Sequence, residues 1–563
     1  MLPIGNLMLD ATAGPVRRRF NDLCRSPADT QQALLSSILR QNAGTVYGKR
    51  HGFSAITTLR QYQQRVPLAT YGDLEPYISA AMTGAPNQLT NGAPVLYTTT
   101  SGTTGASKFI PVTHQGRSRK ARLMWLWLSA LRRDHPAITQ GKILSVVSPA
   151  VESHTADGTP TGAESGHTYR NMPPPVRWMY SAPYEVFTID DYEAKYYALL
   201  RLAAGQDISC IATANPSTVV LLAERLGRHT EQIIRDVRDG TFSADFAIPA
   251  SMRAKLRLQP DPERARHLEQ AAALGNGVLL PGLAWPKLAA IGCWKGGTVT
   301  SYLTQFETYF PQRPPVRDLG YLATEVSGSV PLSDDGDSGV VAVGTNVVEF
   351  RPAYADGTPE GSDLIPLERL EVGQRYFIYV TTVSGLYRYD MNDIVEVTGR
   401  HENTPLVRFV QKGKGVVSFT GEKLYEVQVI DAVEEALGAR RGRYLFIAAH
   451  AEWVGGLPRL TFLIEFDDEL TDRDGIALAD RLDAALGNHN AEYHSKRASL
   501  RYGPPVLRVV RSGELDGYRR RRVESGCPDG QFKVLRLTTD ASFAAQFASD
   551  RDLVGDGGHP VTA

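Results

Sequence analysis

Cysteine is scarce in this chain, and long apolar runs are missing from it. The 563 residues include 4 cysteines (Cys24, Cys210, Cys293 and Cys527), which lie too far apart in sequence to suggest a zinc site or a redox dithiol. Isolated thiols are typical of a reducing cytoplasm. No segment reaches the ~18 apolar residues of a membrane helix, and the N-terminus lacks the pattern of a signal peptide. The sequence therefore predicts a soluble cytoplasmic protein.

An excess of charge of either sign is also missing. Lys plus Arg and Asp plus Glu number 61 each. The composition therefore gives no reason to expect nucleic acid or an anionic membrane as a partner. Hydrophobic residues make up 42% of the chain, which is enough for a buried core. A chain of 563 residues is too long to fold around a single hydrophobic core. We expect two or more domains and, by default, a monomer.

Helical and strand-like segments alternate along the first 400 residues or so. This alternation predicts an α/β fold with mixed or parallel sheets. Segment 151–166 is polar and rich in Gly and Thr, so it is expected to be a loop. The predicted helices are Thr30–Arg40, Ser118–Leu131, Tyr192–Ala203 and Val219–Val237, and the predicted strands are Lys142–Val147, Ile208–Ala212, Val340–Phe350 and Arg375–Val380.

The composition and pattern of the sequence change after Arg408. Glycines and lysines are frequent in VRFVQKGKGVVSFTGEKLYE, and the amphipathic pattern of LYEVQVIDAVEEAL predicts a helix. Strand-like runs and a further helical segment follow, which together predict a small α+β domain. We place the boundary near Gly413, with a large domain over 1–412 and a small one over 413–563. The tail after Asp550 is expected to be frayed.

The segment YTTTSGTTGASKFIP, which begins at Tyr97, combines glycines, hydroxyl side chains and Lys108. Backbone N–H groups of a Gly-rich turn can converge on a phosphate, and hydroxyls and a lysine add further donors. The glycine spacing and the Phe109 that follows the lysine exclude a Walker loop, which disfavours a kinase or an ATPase. Taken alone, a segment of this kind is more often a solvated turn than a ligand site.

Three further motifs favour a nucleotide site. They are DLGYLATEVSGSVPL with Tyr321, Thr324 and Glu325; SGLYRYDMNDIVEV with Arg388, Asp390 and Asp393; and GQFKVLR with Lys533. With these motifs the chain resembles the auxin-responsive Gretchen Hagen family of acyl acid–amido synthetases, a branch of the adenylate-forming ligases. Further matching segments occur along nearly the whole chain, among them QNAGTVYGKRHGF, DDYEAKYYALLRLA and HNAEYHSKR.

The resemblance implies the adenylate-forming ligase fold, with a large N-terminal α/β domain of mixed sheets and a smaller, mobile C-terminal domain. It implies ATP and Mg²⁺ as cofactors. The implied phosphate-binding loop consists of Thr100, Ser101, Gly102, Thr103, Thr104, Gly105 and Lys108. Glu325, after Thr324, matches the Mg²⁺ ligand, and carboxylate oxygen suits that hard cation.

Two more positions match the nucleoside site of the family. Tyr321 is expected to pack near adenine, and Asp393 to accept from the ribose hydroxyls. Arg388 either orders its strand end or contacts phosphate, and the sequence leaves both interpretations open. The chain departs from the family at Asn392, where a glycine is usual, and at Ala323 and Thr324, where two serines are usual. These departures leave the local backbone geometry open.

Lys533 is the expected catalytic residue. Attack of a carboxylate on the α-phosphate of ATP builds negative charge, which a well-placed lysine stabilises. The resemblance puts this lysine on the C-terminal domain, so a domain rotation would bring it in for adenylation and withdraw it afterwards. Residues 412–415 would then belong to the hinge. A surface lysine is the alternative interpretation.

A helix follows the predicted phosphate loop and carries Met124, Trp125 and Trp127. These side chains are candidates for lining an apolar pocket for the acid substrate, although a stripe of buried aromatics more often belongs to the core. The Arg- and Ala-rich composition indicates a high-GC bacterial source, for which a plant-hormone substrate need not apply.

The resemblance implies a ligase that adenylates a carboxylic acid and transfers the acyl group to an amine, with an amino acid as the expected amine. A ligase that forms a thioester with coenzyme A shares the first half-reaction and is the first alternative. A degenerate protein that binds ATP without chemistry is the second alternative, and the presence of Glu325 and Lys533 argues against it.

Overall fold

The structure, a computed structural model, forms two compact units. It describes residues 2–100, 108–296, 300–353, 360–361, 363–413, 416–419, 422–438, 444–454, 457–466, 469–514, 517–518, 521, 537–538 and 540–555. The first unit comprises 1–100 and 109–411, and the second comprises 101–108 and 412–563.

Helices make up much of the first unit. Apolar positions repeat at helical spacing in many of them, and buried side chains of the first six helices belong to one large core. The helices are α1 Leu2–Arg25, α2 Pro27–Asn42, α3 Val46–Arg50, α4 Leu59–Arg65, α5 Tyr71–Met82, α6 His114–Asp134, α7 Glu164–Arg170, α8 Pro174–Arg177, α9 Tyr192–Ala204, α10 Pro216–Arg228, α11 Thr230–Asp239, α12 Ala250–Leu256, α13 Pro262–Leu274, α14 Pro281–Ala284, α15 Thr300–Leu303 and α16 Phe306–Tyr309. None of the helices in the described residues is long and apolar enough to cross a membrane.

Three of the four predicted helices are confirmed within a few residues, and the fourth is divided. The pattern over 219–237 predicts one helix, whereas the chain forms α10 and α11 with a break at His229. The His229 backbone leaves helical geometry there, with φ −103° and ψ 25°. The apolar period continues across the break, which is why the sequence pattern did not reveal it.

The strands of the first unit form three sheets. They are β1 Leu96–Thr100, β2 Lys108–Val112, β3 Lys142–Ser145, β4 Ser153–His154, β5 Pro160–Gly162, β6 Ile208–Ala212, β7 Ala290–Gly292, β8 Val316–Arg317, β9 Ser329–Val330, β10 Gly339–Val341, β11 Val347–Pro352, β12 Ile365–Pro366, β13 Arg375–Thr381, β14 Tyr389–His401 and β15 Thr404–Lys412. One sheet has the order β3-β6-β7-β8 and is parallel throughout. Helices connect its strands, which confirms the predicted α/β class.

The largest sheet has seven strands in the order β12-β11-β13-β14-β15-β10-β9. The sequence predicted one strand over 340–350, but β10 and β11 are separate strands that do not pair with each other. A turn at Gly344 divides them, in which the Thr345 N–H donates to the Ala342 carbonyl at 2.8 Å. Both halves are rich in β-branched residues, so the sequence pattern did not reveal this turn.

The third sheet, β2-β1-β5-β4, corrects the predicted loop over 151–166. Strands β4 and β5 form a hairpin in which Ser153 pairs with Thr161, and α7 begins at Glu164. The turn is held by Thr155 and Asp157, which share a hydrogen bond. Short hydroxyl-bearing strands of this kind do not show the apolar alternation from which strands are predicted.

The second unit is an α+β structure with its own core, in which α17 and α18 pack. Its elements are β16 Val416–Val417, β17 Leu424–Tyr425, α17 Glu426–Leu437, β18 Tyr444–Val454, β19 Leu457–Phe466, α18 Asp472–His489, α19 Ala491–Ala498, β20 Val506–Val510, β21 Leu537–Thr538, α20 Ala541–Ala544 and β22 Ser549–Val554. The main sheet has the order β21-β18-β19-β20-β22. The prediction of a frayed tail is wrong for 551–554, because these residues belong to β22, which pairs with β20 and buries Leu553.

Candidate active site

The residues of the first unit that are predicted to bind the nucleoside lie at two different sheets. The motif that contains Tyr321 follows β8 at the carboxyl end of the parallel sheet, and Asp393 lies within β14 of the seven-stranded sheet. The carboxyl ends of parallel strands are the usual place for ligand sites in α/β folds. The fold therefore brings together residues that lie 72 positions apart in sequence.

Tyr321 and Asp393 are in direct contact. The Tyr321 hydroxyl donates to Asp393 Oδ2 at 2.6 Å, and the two residues are 6% and 1% exposed. The Tyr321 ring stacks on Phe409, with the ring planes inclined by 6°. Burial and the nearby Asp393 carboxylate raise the pKa of Tyr321 well above its ordinary value, so this hydroxyl keeps its proton.

Thr324 and Glu325 occupy the tip of a tight turn. Ala323 and Val326 exchange backbone hydrogen bonds of 2.8 and 3.2 Å across it, so Ala323 and Thr324 support a regular turn in place of the usual serine pair. Glu325 is 9% exposed. Both turn residues line a cavity of about 20 Å³, enough for a water molecule.

Lys120 of α6 also lines this cavity, and the sequence did not single it out. Its Nζ donates to Glu164 at 2.6 Å and to the Thr324 carbonyl at 3.2 Å. It thereby ties α6 to the turn that carries Glu325. In sequence Lys120 is one of several basic residues in RSRKAR, where nothing distinguishes it from a solvated helix face.

Arg388 is buried against Glu349. Its Nε and Nη2 donate to the two Glu349 oxygens at 3.0 and 3.1 Å, and its Nη1 donates to the carbonyls of Gln63 and Val66. The guanidinium group therefore orders this strand end and connects it to the C-terminal end of α4. Of the two interpretations that the sequence left open, this geometry favours the ordering role over a phosphate contact.

Asn392 has a backbone geometry that glycine adopts readily. Its φ is +48°, in the left-handed region that Asn tolerates better than most residues. It lies in a bulge of β14, because Asp390 pairs with Tyr379 while Ile394 pairs with Phe377. The Asn392 N–H donates to Asp390 Oδ1 at 2.7 Å, which stabilises the bulge beside Asp393.

The predicted phosphate loop connects two strands. Thr100 is the last residue of β1 and Lys108 the first of β2, and Ser101, Gly102, Thr103, Thr104 and Gly105 lie outside the described residues. The start of β2 is anchored by the Phe109 N–H, which donates to the Tyr71 hydroxyl at 2.9 Å. Lys533 also lies outside the described residues.

The structure does not bring Met124, Trp125 and Trp127 onto one surface. Met124 is 48% exposed, whereas Trp127 is 4% exposed and its Nε1 donates to the Asp318 carbonyl at 2.7 Å. Trp125 is partly buried against the core. A shared pocket for the acid is therefore not formed by these three side chains, since the spacing that makes them apolar neighbours in sequence separates them around the helix.

Three family models match consecutive parts of this chain. The GH3 family N-terminal domain matches residues 16–315, the central domain matches 339–412, and the C-terminal domain matches 427–542. The chain belongs to the GH3 family. This is the Gretchen Hagen family that its motifs resemble.

Named GH3 proteins of plants are similar to this chain over nearly its full length. The indole-3-acetic acid-amido synthetase GH3.10 of Arabidopsis thaliana is 26% identical over 556 residues, with 92% of this chain and 93% of the relative covered. The jasmonoyl–L-amino acid synthetase GH3.5 of Oryza sativa subsp. japonica is 25% identical, with 93% and 94% covered. The structure of AtGH3.15 acyl acid amido synthetase in complex with 2,4-DB superimposes with a TM-score of 0.64 at 21% identity, with 96% and 97% covered. This chain therefore has the α/β fold of a GH3 amido synthetase.

The GH3-like motif HNAEYHSKR has a structural role in the second unit. Asn490 caps α19 by accepting the Tyr493 N–H at 2.8 Å, and its own amide donates to the Lys423 carbonyl and to Gln428. Arg497 pairs with Asp483 through Nε and Nη2. The motif therefore holds α17, α18 and α19 together.

Proposed function

We propose that this GH3 protein activates a carboxylic acid with ATP and transfers the acyl group to the amine of an amino acid. In the first step a carboxylate oxygen bonds to the α-phosphorus, and the bond to the β-phosphate breaks to release pyrophosphate. In the second step the amine nitrogen attacks the acyl carbon, the bond to AMP breaks, and the nitrogen loses a proton. Adenylation converts a poor leaving group into a good one.

The consecutive matches to the N-terminal, central and C-terminal GH3 domains carry this proposal. Family membership makes the chain a ligase of the amido synthetase class. The plant relatives are named for indole-3-acetic acid and for a jasmonoyl group, and the GH3.15 structure contains 2,4-DB. These names support a small-molecule acid and an amino acid as the substrate classes of this chain, without specifying the acid.

The contact between Tyr321 and Asp393 supports a nucleoside site at this position. Tyr321 donates to one Asp393 oxygen, which fixes the direction of the carboxylate, and a carboxylate has further lone pairs for ribose hydroxyls. The stacked rings of Tyr321 and Phe409 form an aromatic wall beside it. We assign Arg388 to ordering the same strand end, because Glu349 and two carbonyls occupy its guanidinium group.

Glu325 fits a role in holding Mg²⁺ together with the phosphates. Mg²⁺ is usually held by one or two carboxylates plus substrate phosphates. In the described residues no group of three or more His, Cys, Asp or Glu side chains is arranged to hold a metal, so we expect ATP itself to supply ligands. Bound Mg²⁺ would neutralise phosphate charge. The hydroxyls of the 100–105 loop and Lys108 are proposed to bind the phosphates.

ATP–pyrophosphate exchange across a panel of acids tests the proposal. We expect exchange with a subset of acids, followed by amide formation when amino acids are added. Thioester formation with coenzyme A in place of amide would show that the chain follows the first alternative. ATP binding without exchange for any acid would show the degenerate alternative.

Lys533 is proposed to stabilise the charge that develops during adenylation. Lys533→Ala should slow exchange by about 100- to 1,000-fold, because one electrostatic contact to the transition state is lost. Amide formation from a pre-made acyl-adenylate should be largely spared, since that step does not form the phosphate bond. The side chain of Lys255 is exposed, so Lys255→Ala serves as a matched surface control. Equal losses in both half-reactions would contradict the assignment.

A further inference from the structure

Asp318 is a buried carboxylate that lies at the end of β8, three residues before Tyr321. It is 4% exposed. Its two oxygens accept hydrogen bonds from two backbone segments: Oδ2 from the Lys295 N–H at 2.6 Å, and Oδ1 from the Gly320 N–H at 2.5 Å. The carboxylate therefore links the segment after β7 to the segment after β8, at the carboxyl end of the parallel sheet.

The backbone that Asp318 holds leads directly to Tyr321. Gly320 has a φ of +79°, and a Cβ there would lie 2.6 Å from the Ser329 carbonyl oxygen. The chain therefore turns sharply at a position where only glycine fits. The Tyr321 N–H then donates to Ser329 Oγ at 2.9 Å, and the side chain reaches Asp393. The direction of Tyr321 thus depends on the turn that Asp318 closes.

Two tryptophans join the same short segment from other elements. Trp294 Nε1 donates to the Gly320 carbonyl at 3.1 Å, and Trp127 Nε1 of α6 donates to the Asp318 carbonyl at 2.7 Å. Residues 318–320 are therefore bonded to α6, to the segment after β7 and, through Tyr321, to β14. We call residues 318–320 the junction segment.

We propose that Asp318 is a positioning residue for the nucleotide: its carboxylate holds the junction segment in the geometry that aims Tyr321 at Asp393. The inference rests on the proposed function, because it takes Tyr321 and Asp393 as the nucleoside site. Asp318 acts through Tyr321 and does not itself touch the substrate.

The environment of Asp318 makes this role sensitive to pH. Burial raises its pKa from 3.8 to about 6, the two backbone hydrogen bonds oppose the shift, and the Asp337 carboxylate adds to it. The other groups that face it are the Lys295 ammonium and the buried Cys293 thiol. Below about pH 6 a protonated carboxyl would turn an O–H toward one of the two N–H groups, and that hydrogen bond would be lost.

Asp318→Asn tests the inference because an amide resembles the protonated carboxyl at every pH. We expect the KM for ATP in pyrophosphate exchange to rise about tenfold, the effect of losing one hydrogen bond to a charged group, with a smaller change in kcat. The wild-type protein should lose kcat/KM for ATP as the pH falls through about 6, and the variant should lack this acid limb. Asp335→Asn, an exposed change in the next loop, is the matched control and should leave both quantities unchanged.

Asp337→Asn gives a second measurement that leaves every Asp318 contact in place. Removing the neighbouring negative charge lowers the pKa of Asp318, so the acid limb should move to lower pH. This variant decides the matter if Asp318→Asn does not fold, which circular dichroism and thermal unfolding would detect. An acid limb that stays at the wild-type pH would overturn the inference.

A merely structural role for Asp318 predicts a different pattern. A smaller folded fraction lowers the apparent kcat and leaves the KM for ATP and the shape of the pH profile unchanged. That pattern in Asp318→Asn, with an active wild-type protein, would refute the positioning role. Failure of the proposed function is distinguishable, because the wild-type protein would then show no exchange with any acid.

Discussion

Arg388 in the first unit and Arg497 in the second make the same kind of ion pair at different depths. Arg388 and Glu349 have side chains 7% and 2% exposed, whereas Arg497 and Asp483 are 18% and 22% exposed. Each arginine makes at least two contacts to its carboxylate and one or two more to backbone carbonyls. Both belong to motifs that carry the family resemblance. A family motif therefore includes residues that order the fold as readily as residues that contact substrate.

The degree of burial determines how much the free energy of unfolding falls when each ion pair is broken. An arginine removed from a fully buried pair leaves its carboxylate without compensation in a medium of low polarity. At a more exposed site, water takes over part of the interaction. Loss of the arginine should therefore lower the free energy of unfolding more for the Arg388–Glu349 pair than for the Arg497–Asp483 pair.

The largest effect is expected for Arg388→Met. We expect the free energy of unfolding to fall by about 3–5 kcal/mol, because Glu349 is left as a buried charge without its cation and keeps the Gln63 amide, which donates to it at 2.9 Å. Chemical denaturation, with hydrogen exchange of peptides from β11 and β14 to locate the change, would measure it. The double variant with Glu349→Leu should recover much of the loss, since it removes the stranded charge. A single variant within 1 kcal/mol of wild type would contradict the account.

Arg497→Met should have a smaller effect, about 1–3 kcal/mol. Asp483 keeps its hydrogen bond from the Tyr493 hydroxyl at 2.7 Å and is partly accessible to water. Faster hydrogen exchange should be confined to peptides from α18 and α19. A loss of unfolding free energy as large as that of Arg388→Met would show that burial does not determine which ion pair contributes more to stability.

The smallest effect is expected for Asn490→Ala, about 1 kcal/mol, the usual cost of losing a helix N-cap. Asn490→Ser retains an oxygen that can accept the Tyr493 N–H but not the amide that donates to Lys423 and Gln428. If capping dominates, thermal unfolding of the serine variant should match wild type. Equal destabilisation by Ala and Ser would assign the stabilisation to the amide donors.

The elements that the sequence predicted best are those with a strong period or a short apolar run. Strand β6 has the predicted bounds, Ile208–Ala212, and α9 differs from its prediction by one residue. The misses, at His229, at Gly344 and over 151–166, are turns inside continuous patterns or strands without an apolar face. Such features depend on contacts with other segments, which local periodicity does not contain.

In the candidate site, too, some residues were predicted from the sequence and others were not. Tyr321 and Asp393 stand in motifs that the sequence singled out, and the fold brings them into contact. Lys120 was missed because a lysine on a basic helix has no distinctive pattern. Asp318 is the first residue of the DLGYLATEVSGSVPL motif, but it was given no role because the Lys295 N–H that it binds lies 23 residues away in sequence. The three side chains proposed for an acid pocket were separated because helix geometry, rather than proximity in sequence, decides which residues share a face.

The family, the α/β class and the adenylating chemistry that the family implies follow from the amino-acid sequence alone, because ordered motifs are still found at identities near 25%. The roles of individual charges follow only from the folded chain. Arg388 pairs with a glutamate 39 residues away, and the Asp318 carboxylate binds backbone groups from two loops. The physical reason is that the state and effect of a buried charge depend on its partners and its distance from water, and folding supplies both.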